Sequence, residues 1–122
     1  VFPVIAKWTI LEGKREQALT ALGELADEVQ AGEPFAWMYT IHTPDLTQHS
    51  LPTPPADEVI FFSVFESAEA FQKHFKGPIF QAWAAKHMDL FLTNLEHLFV
   101  LAEYIERQAG FVRKQMLTPG ED

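Results

Sequence analysis

Apolar residues in this chain gather into four short runs separated by stretches of helical spacing. The runs are Val4–Leu11, Phe35–Ile41, Val59–Phe65 and Leu98–Ile105, each of strand length. A sheet with helices on one face and water on the other alternates apolar and polar residues. The first, third and fourth runs are apolar at both parities, and Phe35–Ile41 is nearly so. The second face of the sheet therefore needs a cover. The helices are too few to supply one, so the pattern predicts a sheet-to-sheet homodimer with an apolar pocket in each subunit.

Between the runs, turn and cap residues set the boundaries. The first strand, about Pro3 to Leu11, stops at Glu12-Gly13, and Ala18, Leu19, Leu22, Leu25, Ala26 and Val29 then form one apolar stripe of helical period. Gly32 and Pro34 are expected to end that helix in the manner of a C-terminal glycine followed by proline. The second strand runs to about Thr43. Residues 44–57, with Pro44, Pro52, Pro54 and Pro55, form a long proline-rich insert, read either as a functional flap or as a solvated excursion.

After the third strand, from Glu58 to about Phe65, Ser67 is placed to cap a short helix carrying Ala70, Phe71 and Phe75. Gly77-Pro78 breaks it, and Pro78 suits the first turn of a further helix bearing Phe80, Trp83, Ala84, Phe91 and Leu95. The fourth strand, about Leu98 to Glu106, completes β-α-β-β-α-β. The fold class predicted is α+β, ferredoxin-like with an antiparallel sheet, closing into a dimeric α+β barrel. Residues 1–106 form the domain and 107–122 a C-terminal tail, whose Phe111, Val112, Met116 and Leu117 are candidates to pack on a partner subunit.

At 122 residues the chain is long enough for one core and too short for two. Its net charge of −8, with nine scattered Lys and Arg, argues against nucleic acid or an anionic membrane surface as partner. No run reaches the length of a membrane span. The beginning, Val1-Phe2-Pro3, has no signal-peptide pattern, and the lack of an initiator Met leaves room for an upstream segment. The absence of cysteine excludes disulfides, thiolate nucleophiles and Cys-type zinc sites, and fits a cytoplasmic location.

The five histidines, His42, His49, His74, His87 and His97, show no metal-ligand spacing, so no metal site is expected. Phosphate-binding glycine loops and the Gly-x-Ser-x-Gly elbow are absent as well. What remains is aromatic. Eleven Phe, with Trp8, Trp37 and Trp83, either fill the core or wall a pocket for a flat ligand. Tyr39 and Tyr104 either supply phenolic hydrogen bonds to that pocket or serve the dimer interface. Glu103, inside an apolar strand, is expected to pair with Lys7 or to face the barrel mouth.

One run carries a family likeness. Phe65-Glu66-Ser67, Ala70-Phe71-Gln72-Lys73-His74 and Gly77-Pro78-Ile79-Phe80 follow one another as in the antibiotic-biosynthesis-monooxygenase domain, which the chain resembles from about Val4 to Glu106. The strand ending in Glu12-Gly13-Lys14-Arg15-Glu16, and Glu33-Pro34 before a strand with Tyr39, are similar to it too. The resemblance implies a dimeric α+β barrel. It also disfavours the haem-degrading branch: that branch's first-strand Asn corresponds here to Ala6, its Trp to His74 and its haem-ligating His to Ala84, while Asn94 lies near the end of the last helix. Many monooxygenase-like members carry Glu at the Ser63 position and His at the Ile79 position, so polar groups for a quinol are fewer here.

What the resemblance implies for activity is cofactor-free oxygenation of an electron-rich aromatic of the hydroxylated polyketide or quinol type, as in secondary metabolism. His74 is then the candidate catalytic base or oxyanion partner; its structural alternative is a histidine holding carbonyls at a helix C-terminus. Trp8, Trp37, Phe71 and Trp83 are the candidate substrate-binding walls and Tyr39 an orienting donor. No haem, flavin or other cofactor is expected. Two other classes fit the same pocket: a non-oxidative cyclase, decarboxylase or isomerase, and a non-catalytic small-molecule-binding dimer.

Overall fold

The computed structural model describes residues 1–92 and 100–116. Strand β1 (Phe2–Thr9) leads into helix α1 (Arg15–Gly32), then β2 (Ala36–His42), β3 (Glu58–Phe65), α2 (Ala68–Lys76), α3 (Pro78–His87) and β4 (Val100–Tyr104). Single 3-10 turns lie at Met88–Leu90 and Lys114–Met116. The strands form one antiparallel sheet in the order β2-β3-β1-β4. This is the expected ferredoxin-like α+β arrangement, with the helices on one face.

Strand parity decides what each face holds. Val4, Ala6 and Trp8 of β1 pair across from Ser63, Phe61 and Val59 of β3, and all turn toward the helices. Against them α1 places Ala18, Ala21, Leu22, Leu25 and Val29, which are buried as the stripe predicts; Leu19 sits on its flank, 36 % exposed. The opposite parity carries Pro3, Ile5 and Lys7 on β1, Ile60, Phe62 and Val64 on β3, and Met38 and Thr40 on β2. No described helix lies over that second face, and Phe62 is 38 % exposed on it.

Several boundaries differ from expectation for local reasons. Helix α3 ends at His87 and does not continue through Phe91. After the 3-10 turn the chain becomes extended: Phe91 bridges Ile10, and Leu92 N donates to Thr9 O at 2.9 Å. Backbone pairing along the edge of β1 has replaced further helix. Leu95, Asn94 and the expected start of β4 at Leu98 lie outside the described residues. Glu103 is exposed, so no burial has to be offset, and Lys7 instead approaches Glu58 at 3.5 Å. The tail residues Phe111, Val112 and Met116 are all exposed.

The insert 44–57 is tied at its base. Arg15 donates to Ala56 O at 3.2 Å and to Thr43 Oγ1 at 3.5 Å, so one guanidinium spans both ends of the connection. At its start Asp45 accepts hydrogen bonds from Thr47 Oγ1 and Thr47 N, which hold its carboxyl below the usual carboxylate range.

Two glycines answer to space. Gly32 remains within α1 with no left-handed φ; a Cβ there would come within 2.6 Å of Ile79 Cδ1, so α1 and α3 approach closely at this point. Gly77 separates α2 from α3 in extended conformation, and its Cβ would strike the Lys73 carbonyl oxygen, which is backbone and has little room to yield. Gly77→Ala should therefore lower stability by about 1–3 kcal/mol. Gly23→Ala, in the exposed interior of α1 with open space around it, should raise stability by roughly 0.5–1 kcal/mol. Urea midpoints of the two variants check the pair; equal shifts would contradict the steric account.

Candidate functional site

Helix α2 begins at Ser67, whose hydroxyl accepts from Ala70 N at 3.0 Å. That start sets the phase of a helix only nine residues long. Ala70 and His74, four apart, then fall on the buried face with Phe71 beside them. The His74 side chain enters a cage of rings: Phe65, Tyr39 and Phe80 have ring centres 5.2, 5.3 and 5.6 Å away, and Phe71 lies at 6.3 Å.

Inside the cage His74 is 5 % exposed and pairs with Glu33, 4 % exposed, at 2.7 Å between Nδ1 and Oε1. Glu33 occupies the turn that closes α1. Its own N–H donates to Val29 O and its carbonyl accepts from Ala36 N, so the backbone that carries the carboxylate is fixed on both sides. Tyr39 stands edge-on to the imidazole. Burial, and secondly the nearby Glu33 charge, push its phenol well above the ordinary value, so Tyr39 is a neutral hydrogen-bond donor.

The remaining predicted site residues divide. Trp8 and Trp83, ring centres 5.8 Å apart, lie in the main core with Phe61, Phe80 and Phe91. The Trp83 indole N–H donates to Ala21 O at 2.7 Å, a buried bond that pins α3 to α1. Phe80 touches both groups, 5.6 Å from His74 and 6.2 Å from Trp8. Phe71 is half-buried beside Phe2, Phe65 and Tyr104. Trp37 departs from the others: it occupies the irregularity between Ala36 and Met38 in β2 and is 57 % exposed.

The structure thus gathers His74, Tyr39 and Phe71, places Trp8 and Trp83 in the adjoining core, and turns Trp37 outward. Trp37 borders a surface depression of about 310 Å³ with Phe35, Glu66 and Lys73. Another, of about 400 Å³, lies over Glu33 between Lys73, Lys76 and Ile79. His74, Trp8 and Trp83 line neither. Among the described residues no group of three His, Asp or Glu converges as metal ligands, and no helix is long and apolar enough to cross a membrane.

In the sequence Glu33 figures only in the family likeness, as Glu33-Pro34 before the strand with Tyr39, and not as a site residue. A signal was available: a histidine on the apolar face of α2 requires a polar partner when buried. The order of the chain does not say which of 17 acidic residues supplies it.

Residues 2–86 match the sequence profile of the antibiotic biosynthesis monooxygenase family, and the chain belongs to that family. Solved structures of similar fold include a Caulobacter crescentus protein named provisionally as an antibiotic biosynthesis monooxygenase, at 18 % identity and TM-score 0.69, covering 88 % of this chain and 90 % of that one. Rv0793 of Mycobacterium tuberculosis aligns at 15 % identity and TM-score 0.66, covering 89 % of this chain and 96 % of its own. PA3566 of Pseudomonas aeruginosa does so at 17 % and 0.67, covering 88 % and 94 %. Identities this low establish the shared fold. No relative of curated function matches the sequence.

The burial of His74 changes one expectation. A pocket-facing imidazole would add little to stability, whereas this one is packed by four rings and paired. His74→Ala removes that packing and leaves Glu33 buried without its partner. It should destabilise the protein by about 3–5 kcal/mol, measured by chemical denaturation. A loss below roughly 1 kcal/mol, the scale of an exposed pair, would show that the pair is open to water.

Proposed function

We propose that the protein is a cofactor-independent monooxygenase acting on an electron-rich phenol of the polyketide or quinol type, with His74 as the base. The observation that carries this reading is the imidazole held by Glu33 within an aromatic cage, beside the neutral phenol of Tyr39. Family membership supports the same class of chemistry. A flat substrate would enter by parting the rings around His74, with Phe71 and Tyr39 against its faces and edges. Trp8 and Trp83 would act from behind as the wall that supports Phe80, and Trp37 would meet substrate only at the surface.

In the proposed reaction His74 takes the phenolic proton, and the phenolate gives one electron to dioxygen. The two radicals combine at a ring carbon to form a carbon–oxygen bond, and His74 returns its proton to the outer peroxide oxygen. Loss of water from the resulting hydroperoxide leaves a quinone, so one phenol and one dioxygen yield one quinone and one water. The protein's contributions are the base, the orientation and a site from which bulk water is excluded. A cytoplasmic location accords with the cysteine-free composition.

A second reading has its own support. The rings around His74 and the Trp8–Trp83 core are closely packed, which suits a dimer without turnover whose small molecule sits in the surface depressions beside Trp37 and Glu33. Dioxygen uptake with hydroxylated naphthalenes and anthrones separates the two. The oxygenase should consume equimolar oxygen and phenol, and His74→Gln should slow turnover by about 10²–10⁴-fold. Binding without uptake across that panel would favour the second reading.

Both readings include a homodimer. Its support is the uncovered sheet face, where Ile5 and Phe62 pair between Val64, Met38 and Ile60. Such a patch is ordinarily covered by a partner. Light scattering at micromolar concentration should give twice the chain mass, and Phe62→Glu should yield monomer or precipitate. A folded wild-type monomer would remove the dimer from the proposal.

A further inference from the structure

We propose that Glu33 is a positioning residue: it holds His74 with its proton on Nδ1 and so makes Nε2 the nitrogen that meets substrate. The inference rests on the reading of His74 as the base and goes beyond it by assigning the tautomer and the residue that sets it.

Glu33 Oε1 faces Nδ1 at 2.7 Å, and a carboxylate only accepts hydrogen bonds, so the proposal assigns the proton to Nδ1. The contact is short, as charge-assisted bonds are, and is shielded on both sides. Free imidazole favours the opposite tautomer, with the proton on Nε2. Glu33 therefore selects a form that the ring would not otherwise prefer. The backbone bonds at Val29 and Ala36 stop the carboxylate from following a rotating ring.

The other nitrogen is available. Nε2 makes no hydrogen bond to a described residue, and no buried side-chain nitrogen or oxygen among these residues is left without a partner. Among the described residues Nε2 is thus left to water or a small molecule. A base needs that combination of an unprotonated nitrogen on the open side and a fixed proton on the closed side.

A purely structural pair makes a different demand. It needs a hydrogen bond between α1 and α2 and is indifferent to its direction. Glutamine at position 33 would satisfy it, since the amide both donates and accepts. The discriminating measurement is the ring-nitrogen spectrum of ¹⁵N-histidine-labelled protein at mildly alkaline pH, with 1,8-dihydroxyanthraquinone as the phenolic probe.

In the wild type, His74 should show a protonated Nδ1 and an unprotonated Nε2, and the probe should shift the Nε2 resonance. In Glu33→Gln the proton should move largely to Nε2 and the probe-induced shift should disappear. A wild-type ring protonated on Nε2 overturns the proposal without any variant, so it stays testable even if Glu33→Gln folds poorly. An unchanged tautomer in folded Glu33→Gln also overturns it, and continued phenol turnover in that case leaves the oxygenase reading standing. A tautomer that follows Glu33, in a protein that consumes no phenol, removes the oxygenase reading but upholds the positioning role.

Discussion

The contact between Glu33 and His74 is the constraint around which the helical layer is arranged. It joins the turn after α1 to the inner face of α2 across 41 residues of chain. Burying either group alone would cost several kcal/mol of lost hydration, so neither element can settle without the other. The turn must aim Glu33 inward, and Glu33 N–H bonding to Val29 O does so. The helix must aim His74 at the same point, which the Ser67 cap secures by fixing where α2 begins. Gly32, left bare so that Ile79 can approach, brings α3 close behind the pair.

Aromatic packing then links this site to the core through one ring. Phe80 lies against His74 on one side and against Trp8 and Trp83 on the other. The two sides are not equally movable. Shifting α3 would break the Trp83–Ala21 bond and leave a buried indole N–H unpaired, at about 1–3 kcal/mol. Among the described residues the Phe71 flank has no comparable tie, since its side-chain contacts are ring-to-ring and its neighbour Phe75 is 49 % exposed. Entry of a ligand would thus displace α2 side chains while α3 and the tryptophans stay in place. The proposed chemistry needs a cage that opens on one side only, and this difference in restraint supplies it.

Much of the fold was legible because its signals are local. Ser67, Gly77 and Pro78 act within a few residues of their own positions, and the limits of α2 fall where they predict. The limits of β3 were read as well, since Asp57 and Glu66 bracket an apolar run. Errors arose where a distant partner decides. Phe91 continues an apolar spacing that reads as helix, yet Ile10 captures it as an extended bridge. Glu103 offers Lys7 a partner within an apolar strand, yet it opposes Ile5 and Lys7 approaches Glu58 instead. Gly32, by contrast, does close α1 where a helix-stopping glycine is expected, and the distant Ile79 adds a second demand on its small size. His74 was visible in the sequence and Glu33 was not, because their association exists only once α1 and α2 lie side by side.

The uncovered face bears on the site through the thickness of a single sheet. Its most apolar part is the end where Pro3 pairs with Val64 and Val64 with Met38; toward the other end come Lys7, Thr9 and Glu58. Tyr39 and Phe65, which touch His74, belong to that same apolar end and follow Met38 and Val64 directly in sequence. Alternate residues of a strand point to opposite faces, so a second copy pressing on Met38 and Val64 would press on the backbone that aims Tyr39 and Phe65. The Ser63 hydroxyl, donating to Val4 O at 3.2 Å, adds a buried side-chain bond between the two central strands at this level. Dimer contact and catalytic cage would then share one rigid floor, and loosening the first would blur the geometry of the second even though no partner residue entered the cage.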